Sequence, residues 1–191
     1  MVSIESAATA IRDGELVVYP TETVYGLGAN ALDADTIERV FAVKGRPHEK
    51  PISLAVSDVE QSFEYTRPTA EEKRFMREFL PGPVTVLVEA REMVPDVLTA
   101  GNARVGVRVP DHPMALSLLQ ETAPLTATSA NRSGNPSAKQ VDEVDESVRA
   151  ASAVVLDGGA LSGVESTVVD VSAGTIHRRG VGAEAIAAWL D

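Results

Sequence analysis

The chain has 191 residues, of which 44% are hydrophobic and 24% charged, and it contains no cysteine. This balance is typical of a globular domain with a real core, and the lack of cysteine excludes a disulfide scaffold, a thiolate zinc site and a cysteine nucleophile. The 28 acidic and 17 basic residues give a net charge of −11, which disfavours nucleic-acid binding unless the arginines cluster.

The N-terminal stretch MVSIESAATAIRDGE carries acidic residues and no long apolar run, so it is not predicted to be a signal peptide. Because no run of about 18 apolar residues exists, we predict no membrane segment and expect a cytoplasmic protein. The acidic surface also fits a high-salt cytoplasm, where charge repulsion is screened. Full stability at low ionic strength would argue against that hypothesis.

Periodicity and capping signals predict one α/β domain over residues 1–191. Helices are predicted over 4–12, 34–43, 69–80, 114–120 and 183–190, with capping-box spacing at Asp35/Glu38 and Thr69/Glu72. Strands are predicted over 15–19, 52–56, 84–90 and 105–110, and within 124–130, 152–159, 166–172 and 175–179. The late strands follow one another without helices, which predicts a mixed sheet.

The stretch YPTETVYGLG, residues 19–28, follows the first predicted strand and is unusually rich in hydroxyl groups. Gly26, Gly28 and Ala31 fit the dinucleotide fingerprint G-x-G-x-x-A. That fingerprint requires a strand that leads directly into the first glycine, and here Pro20 to Tyr25 intervene. We therefore exclude a dinucleotide-binding site, and the chain has no P-loop motif.

The loop KGRPHEKP, residues 44–51, concentrates Lys44, Arg46 and Lys50. Gly45 and Pro47 bend the chain, so these cations can converge on a phosphate or carboxylate. An ordinary solvated basic loop after a helix C-terminus explains this segment alone equally well.

Further polar segments come later in the chain. Residues 126–138, TATSANRSGNPSA, can present hydroxyl and N–H groups to an anion, or form only a long turn. ESTVVD and HRRG add polar and cationic strand ends. Strand alternation places Arg108 on one face with Gly106 and Pro110, either on the surface or facing a ligand. The histidines His48, His112 and His177 have no metal-ligand spacing, so no protein-bound metal is predicted.

Five segments together resemble the YrdC/Sua5 family of threonylcarbamoyl-AMP synthases: PTETVYGLG, KGRP with KP, VGVRVP, TSANRSG with PSA, and STVVD with a downstream RG. The resemblance implies the family fold, a twisted mixed sheet with flanking helices and a wide cationic cleft, in its short single-domain form. It implies that L-threonine, bicarbonate and ATP give threonylcarbamoyl-AMP and pyrophosphate. The product would serve N6-threonylcarbamoylation of tRNA adenosine 37 through a separate transferase.

The resemblance also implies roles for individual residues. Catalysis is assigned to Arg46, Lys50 and Arg108. Threonine binding is assigned to Thr23, Tyr25, Arg108, Thr128 and Ser166. Nucleotide binding is assigned to Lys44, Arg46, Lys50, Arg104, Ser129, Ala130, Asn131, Ala138 and Arg179. Mg²⁺ is expected to arrive with ATP, which is a substrate, and not in a protein cage.

The sequence departs from the family pattern at two places. Many members have a histidine after K-P, where this chain reads PISLAVS, and Glu165 stands where proline is common. Two alternatives therefore remain. One is a non-catalytic RNA-binding module, which the net charge disfavours. The other is a paralogue that handles another carbamoyl-adenylate, as in hydrogenase maturation.

Overall fold

The computed structural model of the protein describes residues 3–122 and 124–191. Its helices are α1 Ile4–Arg12, α2 Ala34–Lys44, α3 Val59–Ser62, α4 Ala70–Phe79, α5 Asp96–Thr99, α6 Pro113–Glu121, α7 Glu146–Ala151 and α8 Ala183–Leu190. Its strands are β1 Leu16–Pro20, β2 Tyr25–Gly28, β3 Ser53–Ala55, β4 Val84–Glu89, β5 Arg104–Arg108, β6 Leu125–Ala127, β7 Ser152–Val155, β8 Thr167–Asp170 and β9 Thr175–Arg178.

The strands of this part of the chain form two sheets, of three strands in the order β2-β1-β7 and of six in the order β6-β3-β5-β4-β8-β9. Both contain parallel and antiparallel pairs. Isolated bridges from Gly26 to Ser129 and from Asn30 to Leu125 connect the two sheets. The predicted α/β class with mixed strands and flanking helices is confirmed, and the single predicted sheet is divided into two.

Strand β2 was not predicted, because its sequence YGLG contains two glycines and glycine is depleted in strands. Here the glycines are needed for packing on Tyr19 of β1. A Cβ at Gly26 or at Gly28 would lie 3.0 Å from carbons of the Tyr19 ring. The strand forms because tertiary packing outweighs local propensity.

Helix boundaries follow capping chemistry. The Thr69/Glu72 capping box is present at α4. The predicted box at Asp35 is wrong, because Asp33 caps α2 by accepting from the N–H groups of Asp35 and Thr36. The short helices α3 and α5 were not predicted, since four residues contain too little helical period to detect.

The main hydrophobic core packs strands of both sheets against α2 and α4. A second cluster joins α1 and α6 to the outer side of β1. Within residues 3–122 and 124–191, no helix is long and apolar enough to cross a membrane. The polar segments singled out in the sequence lie between the two sheets, around one cavity.

Candidate functional site

A cavity of about 460 Å³ opens between the two sheets. Its volume lies within the usual range for small-molecule sites. Its polar lining comes from every segment noted in the sequence: Thr21, Thr23, Arg46, Arg104, Arg108, Thr128, Ser129, Glu165, Ser166, His177 and Arg178. Residues that are more than 100 positions apart in the chain therefore form one site.

Strand β5 forms the floor of the cavity. Arg104, Gly106, Arg108 and the following Pro110 all line it, while the intervening valines are buried in the core. The predicted face of Arg108 is thus confirmed. A Cβ at Gly106 would lie 2.3 Å from Ser53 Oγ and 2.8 Å from Thr85 Cγ2, so a larger residue there would displace both side chains.

Arg108 is 8% exposed and lies at one end of this floor. Its Nη2 donates to Glu22 Oε1 at 2.7 Å and to Thr23 Oγ1 at 3.1 Å. The guanidinium is therefore held by an ion pair and a hydroxyl from the segment 19–28. This geometry suits an arginine that grips a small carboxylate.

The other hydroxyls of that segment build its turn. Thr21 Oγ1 donates to the carbonyl of Val24 at 2.7 Å and accepts from the N–H groups of Thr23 and Val24. It also lies 2.9 Å from Thr23 Oγ1. Thr21 thus fixes the backbone that places Thr23 against Arg108.

Tyr25 contacts a different element. Its hydroxyl donates to the carbonyl of Gly159 at 2.8 Å and accepts from the N–H of Gly158 at 3.0 Å. Burial raises its pKa. In the described part of the chain, Tyr25 lies outside the cavity lining and supports the loop after β7, so its predicted threonine contact stays a prediction.

Lys44, at the end of α2, is buried beneath the cavity. Its Nζ donates to the carbonyl of Ser129 and, at 2.7 Å, to that of Asn131. Burial, and then the positive charge of Arg46, lower its pKa to about 8. Lys44 thus holds the loop after β6, and contact with a nucleotide stays a prediction.

Arg46 lines the cavity and is oriented by backbone oxygens. Its Nε donates to the carbonyl of Lys50 at 2.9 Å and its Nη2 to that of Pro51 at 2.8 Å. Burial, and then the charge of Arg178, lower the pKa of Arg46. The Lys50 side chain is exposed and lies outside the lining. In this structure the backbone carbonyl of Lys50 contributes to the site by orienting Arg46.

Arg178, which was not predicted, reaches the cavity from β9. It donates from Nε to the carbonyl of Ser166 at 3.0 Å and from Nη2 to Ser166 Oγ at 2.7 Å. The predicted Arg179 instead pairs with Glu184 at 2.6 Å on the exposed side. His177 and Arg178, which are adjacent, both line the cavity next to a register shift beside Val168, so strict strand alternation could not show which of the two arginines faces the site.

The loop after β6 contributes both lining and support. Thr128 and Ser129 line the cavity, whereas Ala130, Asn131 and Ala138 are buried behind it. The N–H of Ala130 donates to the carbonyl of Tyr25, and the N–H of Tyr25 donates to the carbonyl of Ala138, at 2.8 and 2.9 Å. Two positions of this loop, Ala130 and Ala138, thereby hold Tyr25 in the segment 19–28 by backbone hydrogen bonds.

The two sequence departures have structural counterparts. Many family members have a histidine shortly after K-P. In this chain the corresponding residues Leu54, Ala55 and Val56 are fully buried and belong to the apolar core. Glu165 lines the cavity with an exposed carboxylate. Within the described ranges, no three His, Asp or Glu side chains are grouped as metal ligands.

Together, the two-sheet fold and an arginine-lined cavity define a small-molecule site suited to anionic ligands. The family model Sua5_yciO_yrdC, described as "Telomere recombination", matches residues 9–180, so the chain belongs to this family. The predicted family resemblance is confirmed.

Similar proteins agree with this placement. A Pyrococcus abyssi protein named threonylcarbamoyl-AMP synthase is 42% identical over 88% of this chain and 51% of its own length. A protein of the same name from Pseudomonas savastanoi pv. phaseolicola is 34% identical over 93% of this chain and 97% of its own length. The crystal structure of P. abyssi Sua5 complexed with L-threonine has a TM-score of 0.88 at 41% identity, covering 93% of this chain and 54% of that one. The chain thus spans about half the length of the first of these relatives.

Proposed function

We propose that this protein is a threonylcarbamoyl-AMP synthase, which converts L-threonine, bicarbonate and ATP into threonylcarbamoyl-AMP and pyrophosphate. One observation carries the proposal. The lining of a single cavity contains both a hydroxyl-flanked arginine, Arg108 with Thr23, and two arginines suited to phosphate, Arg46 and Arg178. The names of the relatives support the same reaction.

The reaction divides into two steps. The amine of threonine attacks the bicarbonate carbon, and loss of water leaves a carbamate. A carbamate oxygen then attacks the α-phosphorus of ATP, a new P–O bond forms, and pyrophosphate leaves with the electrons of the bond that breaks. Negative charge develops on phosphoryl and pyrophosphate oxygens, so preorganised cations stabilise the transition state.

The residues of the cavity suit these steps. Arg108 binds the threonine carboxylate, and Thr23, Thr128 and Ser166 contact the rest of the amino acid. Arg46 and Arg178 are hydrogen-bonded to neutral oxygens, and within the described residues neither forms an ion pair with a carboxylate. Their charge therefore remains available for phosphates. Mg²⁺ enters with ATP as part of the substrate.

The proposal includes the use of the product. Threonylcarbamoyl-AMP is a reactive mixed anhydride, and a separate tRNA threonylcarbamoyltransferase would consume it in the cytoplasm. The net charge of −11 makes direct tRNA binding weak. The alternative that this cavity takes another carbamoyl-adenylate is favoured by Glu165, whose carboxylate lines the cavity. Amino-acid selectivity separates the two functions.

The test is pyrophosphate release from Mg·ATP and bicarbonate, with L-threonine, with L-serine and without an amino acid. We expect release that depends on threonine, and a loss of roughly 10²–10³-fold in Arg46→Ala. Arg74→Ala is the matched control, because Arg74 is exposed on α4 and pairs with Glu71. Release without a threonine requirement, or an unaffected Arg46→Ala variant, would overturn the proposal.

A further inference from the structure

The end of the cavity opposite Arg108 is formed by Arg104, at the start of β5. The two arginines are four positions apart in the extended strand, or about 13 Å at ~3.3 Å per residue. Leu87, on the neighbouring strand β4, lines the cavity beside Arg104, and its carbonyl accepts a hydrogen bond from the arginine. This end of β5 lies beyond the place of a carbamate bound at Arg108.

Two carboxylates hold the Arg104 guanidinium. Its Nη2 donates to Glu72 Oε1 at 2.5 Å and to the carbonyl of Leu87 at 2.6 Å, and it lies 3.2 Å from Asp170 Oδ1. The Glu72 side chain is 1% exposed. A buried charge of this kind is costly unless it is fully paired, so the position of Glu72 is tightly fixed.

Glu72 is itself held from three directions. Its Oε2 accepts from the N–H of Thr69 at 2.7 Å in the capping box of α4, and its Oε1 accepts from Ser172 Oγ at 2.7 Å as well as from Arg104. Burial alone would raise its pKa, but the bonds from Ser172, Thr69 and Arg104 together lower it. A helix cap thus sets the direction of an arginine in the cavity.

Arg104 shares this pairing with Arg108, which is bonded to Glu22, and differs from the two arginines assigned to phosphate. Arg46 and Arg178 are bonded to neutral oxygens, whereas the charge of Arg104 is offset by Glu72 and Asp170. An arginine paired in this way attracts a phosphate less, because the nearby carboxylates repel the phosphate oxygens. It still offers N–H donors in a fixed direction.

We propose that Glu72 is a positioning residue, which fixes Arg104 as a hydrogen-bond donor to the ribose or base of the nucleotide, while Arg46 and Arg178 take the phosphates. This inference rests on the proposed function. When threonine is bound at Arg108, the carbamate and the α-phosphate lie between the two ends of β5. The nucleoside comes to lie against Arg104 and Leu87.

The experiment measures the affinity of the whole protein for adenosine, Mg·ATP and Mg·pyrophosphate by titration calorimetry. The variant is Glu72→Gln, because glutamine retains an acceptor for the capping box and removes the charge that holds Arg104. Asp170→Asn, on β8, is a second variant that leaves the cap intact. The control is Glu71→Gln, an exposed neighbour in the first turn of α4.

We expect Glu72→Gln to weaken adenosine and ATP by the same factor, roughly tenfold, with pyrophosphate affinity changed by less than about twofold. Asp170→Asn should give the same pattern, and Glu71→Gln should bind all three ligands like the wild type. Raised KM for ATP at unchanged kcat should accompany the loss.

An equal loss for all three ligands would indicate only a damaged fold, and unchanged adenosine binding would place the nucleoside elsewhere; either result overturns the inference. If the wild type releases pyrophosphate normally while Glu72→Gln binds adenosine normally, this inference alone fails. A wild type that binds no ATP would refute the proposed function itself.

Discussion

The buried Lys44 predicts a specific dependence of stability on pH. Its ammonium lies under the cavity with two carbonyl acceptors, and burial together with Arg46 lowers its pKa from 10.5 to about 8. In the unfolded chain the amine keeps its ordinary value, so between these pH values the unfolded state binds more protons than the folded state. The free energy of unfolding must therefore rise as the pH rises from about 8 to 10.5.

The size of this effect follows from the gap between the two pKa values. The folded value of about 8 and the ordinary value of 10.5 differ by an amount equivalent to about 3 kcal/mol. At neutral pH the charged amine thus opposes folding by that amount, and the opposition disappears when the amine is neutral. Neutral Lys44 still has two N–H donors, which is enough for the carbonyls of Ser129 and Asn131.

The assay compares urea unfolding of the wild type and Lys44→Met from pH 7 to 10.5. Other groups titrate in both proteins, so only the difference between their unfolding free energies is used. Lost hydrogen bonds lower the stability of the variant by an amount that does not depend on pH. We expect the wild type to gain about 3 kcal/mol relative to the variant above pH 8. Parallel curves would refute the reasoning, because they would show that Lys44 keeps its ordinary pKa.

Two further predictions concern the walls of the cavity. Gly106→Ala places a Cβ 2.3 Å from Ser53 Oγ, so urea unfolding should show that the free energy of unfolding falls by about 1–3 kcal/mol. Adding Ser53→Ala should partly restore this stability. An unchanged free energy of unfolding in the single variant would mean that the strand adjusts freely. Arg178→Ala should lower pyrophosphate release by roughly 10²–10³-fold while Arg179→Ala, the adjacent exposed arginine, remains active, and the reverse order would show that the opposite register of β9 is the functional one.

Local sequence rules predicted those parts of the site that depend on one element. Alternation along β5 was enough to place Arg108 with Gly106 and Pro110 on one face. The capping box of α4 was readable in the same way, because both of its partners lie within one helical turn. Such features need no information about the rest of the fold.

Features that depend on two elements were not predictable from one sequence. Lys44 and Arg46 are two residues apart, yet one is buried and the other lines the cavity. The direction of each depends on where α2 ends, at a left-handed Gly45, and on the loop after β6 that receives the lysine. Likewise, Arg178 ends β9 and bonds Ser166 in the cavity lining, whereas Arg179 follows the strand and pairs with Glu184 of α8.

The hydroxyl-rich segment 19–28 now has a physical explanation that goes beyond a substrate pocket. Thr21 holds the turn, Thr23 and Glu22 orient Arg108, and Tyr25 supports the loop after β7. Most of these polar groups are thus used to fix other protein groups. A fixed cation does not have to reorganise when charge develops on the substrate, which is the main requirement for stabilising a phosphoryl-transfer transition state.

The same logic explains why the four arginines of the cavity differ. Arg104 and Arg108, at the two ends of β5, are paired with carboxylates, whereas Arg46 and Arg178 are bonded to neutral oxygens. An arginine paired with a carboxylate offers mainly N–H donors in a fixed direction, whereas an unpaired arginine also attracts anions by its charge. A ligand that is polar at both ends and strongly anionic between them therefore fits in only one orientation. The proposed product, threonylcarbamoyl-AMP, has such an arrangement, with threonine at one end, the nucleoside at the other and the phosphate between them. A cavity with four equally exposed arginines would bind phosphates at any of them and would not fix the orientation of such a ligand.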